Sequence, residues 1–151
     1  MIDEALSIAA RTPSACNRQA WHTHVYRNVA CHDLLDMQGG CGGFSSEIHC
    51  AIVVTADMKG FLKYEPFQCY VDGGLYAMNL TNALHSLGLG TIPLSCGFYE
   101  SKLSRIRKAF GIPENEVPVV IIGTGELYDS VKIAESRRKD ISMTNIYHDE
   151  L

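Results

Sequence analysis

The spacing of apolar residues changes several times along the chain, and each change marks an element. Ile2, Ala5, Leu6, Ala9 and Ala10 recur near a 3.6-residue period, with Asp3 and Glu4 in the first turn, where the helix dipole favours acid. Residues 2–11 are therefore expected to be helical, and Pro13 stops them because the residue before a proline avoids the helical region. Residues 21–27 alternate as a strand does, 31–37 suggest a short helix, and the glycine run at 39–43 is a flexible turn or loop. Residues 51–56, rich in β-branched side chains, read as a buried strand. Asp72 is a residue suited to capping a helix. From it, Leu75, Met78, Ala83, Leu84 and Leu87 line one side while Tyr76, Ala77 and Leu80 add apolar surface elsewhere. This predicts a helix buried on most faces and ended by Gly88 and Gly90. A short extended segment at 92–96 follows. Then comes a helix capped by Ser101, carrying Leu103, Ile106 and Phe110 and closed by Gly111-Ile112-Pro113, and a core strand at 117–124. The tail from Tyr128 onward is polar, carries Arg137, Arg138 and Lys139, and has too few apolar residues to pack alone, so it either wraps a partner or is partly loose. With no repeat, linker or low-complexity tract, strands alternating with helices predict a single layered α/β or α+β domain over residues 1–151, of unspecified strand order.

Composition narrows the function. Of 151 residues, 46% are hydrophobic and 20% charged, which is ordinary for a globular domain with a sizeable core. Thirteen basic against 17 acidic residues give a net charge of −4, so no basic excess exists to neutralise a nucleic-acid backbone. No apolar run approaches the ~20 residues needed to span a bilayer, and the acidic start does not read as a signal peptide. Six cysteines without a C-x-x-C pair point to reduced, mostly buried thiols in a cytoplasmic protein. The closing His148-Asp149-Glu150-Leu151 spells an ER-retention address. Without a leader that address is not read, and it is taken as coincidence.

Candidate chemistry is sparse. The glycine run lacks dinucleotide-binding spacing, and no Walker lysine or H-E-x-x-H is present. His22 and His24 share one face of a strand, which makes a metal pair geometrically feasible, but no third ligand is in view, so no metal is expected. No cysteine has a base beside it in sequence. Ser14, Asn17, Arg18 and Gln19 are different. They crowd hydrogen-bonding side chains into a loop just after a helix end, with Trp21 as an apolar anchor more suited to the core than to a site. Such a loop serves the polar edge of a planar ligand or caps turns.

These residues resemble a known family. Residues 13–21, Pro-Ser-Ala-Cys-Asn-Arg-Gln-Ala-Trp, are similar to the P-S-x-x-N-x-Q-P-W signature of FMN-dependent nitroreductases. The stretch from Asp72-Gly73-Gly74 to Gly88-Leu89-Gly90-Thr91 resembles that family's central helix and its G-L-G-T ending. Cys96-Gly97-Phe98, Gly111-Ile112-Pro113, residues 119–123 and Ser136-Arg137 continue in the same order. The resemblance implies an α+β fold with a central, mostly antiparallel sheet flanked by helices, and a homodimer with FMN at the subunit interface. It implies ping-pong hydride transfer from NADH or NADPH to a nitro, quinone or similar small-molecule acceptor. It also implies that Pro13, Ser14, Ala15 and Asn17 reach the flavin from one subunit. Cys96 and Gly97 run along the isoalloxazine, where a backbone N–H meets the ring, and Arg137 meets the phosphate. Arg18, not a universal family position, is expected to add charge near the phosphate or ribityl chain. No side chain is assigned as a catalytic acid or base.

The chain departs from the family in three places. The family opens with an R-R-S-x-R-type segment whose arginines hold the phosphate and the pyrimidine edge; here Met1 is followed at once by the helix leading to Pro13, and Arg11 is out of register to replace it. Glu135 stands where a basic residue often precedes Ser136-Arg137. The interval from Trp21 to Asp72 is compact and leaves little for lid helices. Two lost charge-assisted contacts of about 1.5–3 kcal/mol each would weaken FMN by roughly two to four orders of magnitude. The alternative function is a nitroreductase-like dimer with weak or no flavin binding that holds a small ligand or a partner.

Overall fold

The computed structural model describes residues 1–130 and 135–148; three residues of the C-terminal tetrapeptide, 149–151, lie outside the described residues. Four strands, β1 (Trp21–Arg27), β2 (Cys50–Asp57), β3 (Leu89–Ser95) and β4 (Glu116–Glu126), form one sheet in the order β1-β2-β4-β3, and every pairing is antiparallel. Four helices, α1 (Ile2–Ala9), α2 (Asn28–Gln38), α3 (Gln68–Ser86) and α4 (Glu100–Phe110), cover it. This is the expected α+β architecture.

The sheet has two cores because β2 is buried on both faces. Cys50, Ile52 and Val54, with Ile122 of β4, pack against Ala5 and Ala9 of α1 and the Tyr76–Leu84 side of α3. The alternate residues Ala51 and Val53, with Ile121 and Leu94, pack against Cys31, Leu34 and Leu35 of α2 and Ile106 of α4. Each fully buried aliphatic side chain contributes roughly 1.5–3 kcal/mol, so tertiary burial rather than local propensity holds these short helices. Trp21 joins the first core and stacks on Tyr76 with ring centroids 4.9 Å apart, as its apolar character suggests.

Several boundaries differ from expectation. α3 begins at Gln68, a turn before Asp72; Phe67 occupies the cap position and no side chain caps it. Asp72 is instead a buried acceptor, 2% exposed. Its Asp-Gly-Gly context mimics a helix start, but Gly73 is there for packing: a Cβ at Gly73 would lie 2.7 Å from Val119 Cγ2. Gly88, at φ +82°, does end the helix, but Gly90 lies within β3. α4 starts at Glu100, and Ser101 is its second residue rather than its cap. α3 is not buried on most faces either. Its sheet-facing stripe is Cys69, Asp72, Gly73, Tyr76, Ala77, Leu80, Ala83 and Leu84. The opposite stripe, Tyr70, Val71, Leu75 and Met78, is about half exposed.

A polar cluster ties one end of the sheet together. Glu116 accepts from His22 Nδ1 (2.9 Å) and His24 Nε2 (2.7 Å) on β1 and from the Thr55 hydroxyl on β2. Arg107 of α4 donates to the Glu116 carbonyl (3.0 Å). The two histidines thus point at a carboxylate, and no group of three or more His, Cys, Asp or Glu among the described residues could hold a metal ion. Burial pushes the Glu116 carboxyl up, but the hydrogen bonds from His24, Thr55 and His22 outweigh it and hold it below the usual carboxylate range. A carboxyl lowered on folding stabilises above its unfolded pKa, and that stabilisation is lost as pH falls through its folded pKa. Glu116→Ala should cost about 1–3 kcal/mol near neutral pH by stranding the buried Thr55 hydroxyl and the partly buried His24. That cost should shrink as the pH is lowered through and below the carboxylate range, as read by urea denaturation at a series of pH values.

Candidate functional site

The ends of β2 and β3 and the starts of β1 and β4 lie at one end of the sheet. The segments 12–20, 58–67, 96–99 and 111–115 therefore gather there. They are stitched by Asp57 N–H to the Ala20 carbonyl (2.7 Å), Met58 N–H to the Asn115 carbonyl (2.8 Å) and Asn115 Nδ2 to Asp57 Oδ1 (2.8 Å). All of the site residues expected before the tail belong to this end.

The 12–20 loop leaves α1 through Thr12, whose hydroxyl donates to the Ala9 carbonyl (2.7 Å) and accepts from Asn79 Nδ2 of α3 (2.9 Å). A single 3-10 turn, Ala15–Asn17, follows. Cys16, Asn17 and Gln19 have φ near +53°, a left-handed conformation that costs a non-glycine residue roughly 1–2 kcal/mol, least for Asn. Such a loop persists only when its surroundings hold it. Both oxygens of buried Asp72 accept the Ala15 N–H (3.3 and 3.2 Å), and Gln68 Nε2 donates to Oδ1 of the same carboxylate (2.8 Å). Ser14 Oγ accepts the Gln19 N–H (2.9 Å). Arg18 forks onto Glu65, with Nη1–Oε2 at 2.7 Å and Nη2–Oε1 at 3.1 Å. The Arg18 guanidinium and the Leu62 N–H together keep the Glu65 carboxyl below the usual range. Pro13 and Asn17 are exposed, and Ser14 and Ala15 are half-buried at the loop surface.

Cys96 and Gly97 follow β3 on the far edge of the sheet. Ser95 pairs with Val120, and Val117 pairs with Ala56, which pairs with Trp21, so 96–98 extend to the level at which β1 begins. Three strand spacings of about 4.8 Å, roughly 14 Å in all, separate the two edges. Among the described residues no hydrogen bond joins Ser14–Asn17 to Cys96-Gly97; Ala15 is held by Asp72 of α3 and Gly97 by Ser95. The Gly97 N–H donates to Ser95 Oγ (3.0 Å) on the surface. Burial pushes the half-buried Cys96 thiol up to about 12, which leaves it protonated near neutral pH. Arg137 is exposed in the tail, and Arg138 donates back to Ser136 Oγ (2.7 Å) and the Ser136 carbonyl (2.8 Å).

The sequence profile of the Nitroreductase family matches residues 51–126. A protein from Methanothermobacter thermautotrophicus named "Putative NADH dehydrogenase/NAD(P)H nitroreductase" is 30% identical over 142 residues, 88% of this chain and 73% of that protein. One of the same name from Archaeoglobus fulgidus is 31% identical over 125 residues, 82% of this chain and 71% of its own. The chain belongs to the nitroreductase family. Membership places it among oxidoreductases. Solved structures agree on the fold. A nitroreductase from Desulfovibrio desulfuricans, described as putative and in complex with FMN, superposes with a TM-score of 0.80 at 18% identity, over 97% of this chain and 83% of that one. Nitroreductase CinD from Lactococcus lactis, in complex with 4-nitrophenol, superposes at 0.77 and 19% identity, over 98% and 87%.

Two carboxylates that support the 12–20 loop were missed from sequence. Asp72 carries a usable signal, since it falls on the buried stripe of α3 in step with Cys69, Gly73 and Tyr76; a charged residue in that register requires a buried donor. Glu65 carries none, because its partner lies 47 residues away. The six cysteines, all free, differ sharply in access: Cys16 is exposed, Cys96 intermediate and the other four buried. An uncharged maleimide at pH 7.5 should label Cys16 rapidly in the folded protein and the other five at least about tenfold more slowly, as read by mass spectrometry of the digested protein.

Proposed function

We propose that this nitroreductase-family chain is an FMN-dependent NAD(P)H oxidoreductase. In this reading it works in the cytoplasm as a homodimer, takes hydride from NADH or NADPH, and passes it by a ping-pong sequence to a nitro, quinone or similar small acceptor. The observation that carries the reading is the 12–20 loop. In a chain of this family, a strained backbone held from behind by Asp72 turns Pro13, Ser14, Ala15 and Asn17 toward the surface. The donor set suits FMN: neutral amide and hydroxyl groups for a planar polar edge, and a guanidinium at Arg137 for a phosphate. Bound FMN supplies the hydride chemistry. The chain's residues then bind and orient. The Ser14 hydroxyl and the Asn17 side chain meet the ring from one copy with Pro13 and Ala15 packing beside them, Cys96 and Gly97 line it from the other, and Arg137 meets the phosphate. The protonated Cys96 thiol fits a packing role there rather than a nucleophilic one.

A second copy is part of this family reading, and the exposed apolar face of α3 supports it. The face it would cover is the apolar stripe of α3, where Val71, Leu75 and Met78 are each about half exposed and continue from Phe67 beside the loop end. A shallow groove of about 270 Å³ flanks that stripe, lined by Ala77, Met78, Pro93 and Val120 among others, and can receive apolar side chains.

Three outcomes are expected. Purified protein loaded with FMN and dialysed should stay yellow and bleach with NADH or NADPH in its visible spectrum. A colourless protein that cannot be reloaded would refute the flavin reading and favour a ligand- or partner-binding role. Light scattering at micromolar concentration should give a dimer, and Met78→Asp should shift it toward monomer; a wild-type monomer would remove the two-copy site. Arg137→Ala should weaken FMN by about tenfold and more than Arg138→Ala, as measured by quenching of flavin fluorescence, because Arg138 is already spent on Ser136.

A further inference from the structure

We infer that Glu65 is the positioning residue of the cofactor-facing loop, and that Arg18 serves the site by gripping Glu65 rather than by touching the ligand. The inference rests on the FMN reading above for its consequence, and on the fold alone for its geometry.

Arg18 offers two terminal nitrogens, and Glu65 engages both, at 2.7 and 3.1 Å. A fork of this kind fixes direction as well as distance. About a fifth of each side chain is exposed, so the pair is shielded from much of the solvent that weakens surface ion pairs. Phe61 covers the guanidinium from another side, 5.9 Å from its ring centre. Glu65 is itself anchored. Its Oε2 also accepts the Leu62 N–H (2.9 Å), its own N–H donates to the Leu62 carbonyl (2.9 Å), and its carbonyl accepts from the Gln68 N–H at the start of α3 (3.2 Å). The carboxylate is therefore fixed to the helix, and through Arg18 so is the loop.

The position of the pair along the loop gives it a consequence. Asp72 grips the chain at Ala15 and Glu65 grips it at Arg18. Between those two grips lie Cys16 and Asn17, both left-handed, and Gln19 just beyond is left-handed too. Releasing the Arg18 end lets this stretch relax toward ordinary backbone angles and turns Asn17 away from its outward pose. An anion approaching Arg18 would have to displace a carboxylate that already occupies both guanidinium nitrogens and would face its negative charge.

The test compares wild type, Arg18→Gln, Glu65→Gln and the exchanged pair Arg18→Glu with Glu65→Arg. Two readouts are taken: amide hydrogen exchange of residues 15–19 in flavin-free protein, and FMN affinity by fluorescence quenching. Each single variant should speed loop exchange by about tenfold and weaken FMN by a similar factor, with β2 amides unchanged, and the exchanged pair should recover most of both. Unchanged loop exchange in either single variant overturns the inference. So does Arg18→Gln losing FMN while Glu65→Gln keeps it, or an exchanged pair that recovers slow exchange but not affinity, since Arg18 would then be a direct ligand. If wild type takes up no FMN, the flavin reading fails, and the exchange measurements still decide whether the pair holds the loop.

Discussion

β2 is buried on both faces along nearly its whole length, and that constraint organises the molecule. A strand with Ile52 and Val54 on one side and Ala51 and Val53 on the other must be covered by apolar layers above and below. α1 with α3 and α2 with α4 supply them. Because all pairings are antiparallel, the strand ends alternate, and four connecting segments collect at one end of the sheet. The 12–20 loop and the Cys96-Gly97 segment share that end.

At that end, carboxylates do the positioning. Asp72, Glu65 and Glu116 each bind donors from a segment remote in sequence: Ala15, Arg18, and the His22–His24 pair. A carboxylate accepts several hydrogen bonds at once, so one buried side chain can satisfy a backbone N–H and a side chain together. Asp72 does so with Ala15 and Gln68, and Glu116 does so with three side chains. The arrangement ties loops with little apolar surface of their own, where hydrophobic burial has nothing to act on.

Elements whose cues are local were legible in the sequence. The strand at β2, the alternation of β1, the glycine ending α3 and the proline after α1 all announce themselves within a few residues. The nine-residue loop signature and the order of motifs were also readable, and they led to the family. What failed was local chemistry overruled by distant contacts. Asp72 looks like a cap because Asp before Gly-Gly breaks helical propensity, yet Gly73 is required by Val119 and Asp72 by Ala15, 57 residues away. Leu75 and Met78 look like core, since periodicity reports apolarity but not what covers it. The Arg18–Glu65 pair leaves no periodic trace at all.

The exposure of Leu75 and Met78 bears on the proposed two-copy site. If one ligand is held by Ser14–Asn17 of one copy and Cys96-Gly97 of another, then the ligand binds the dimer and not the monomer. Linkage makes that dependence mutual: whatever favours association across α3 raises ligand affinity, and bound ligand tightens association by the same free energy. The strain stored at Cys16, Asn17 and Gln19 acts in the same direction. It is borne when the chain folds, with Asp72 and Glu65 holding the loop, so the loop need not be ordered again when a ligand arrives. In the proposed dimer, a loop ordered in advance on each copy would place affinity under the control of assembly rather than of loop motion.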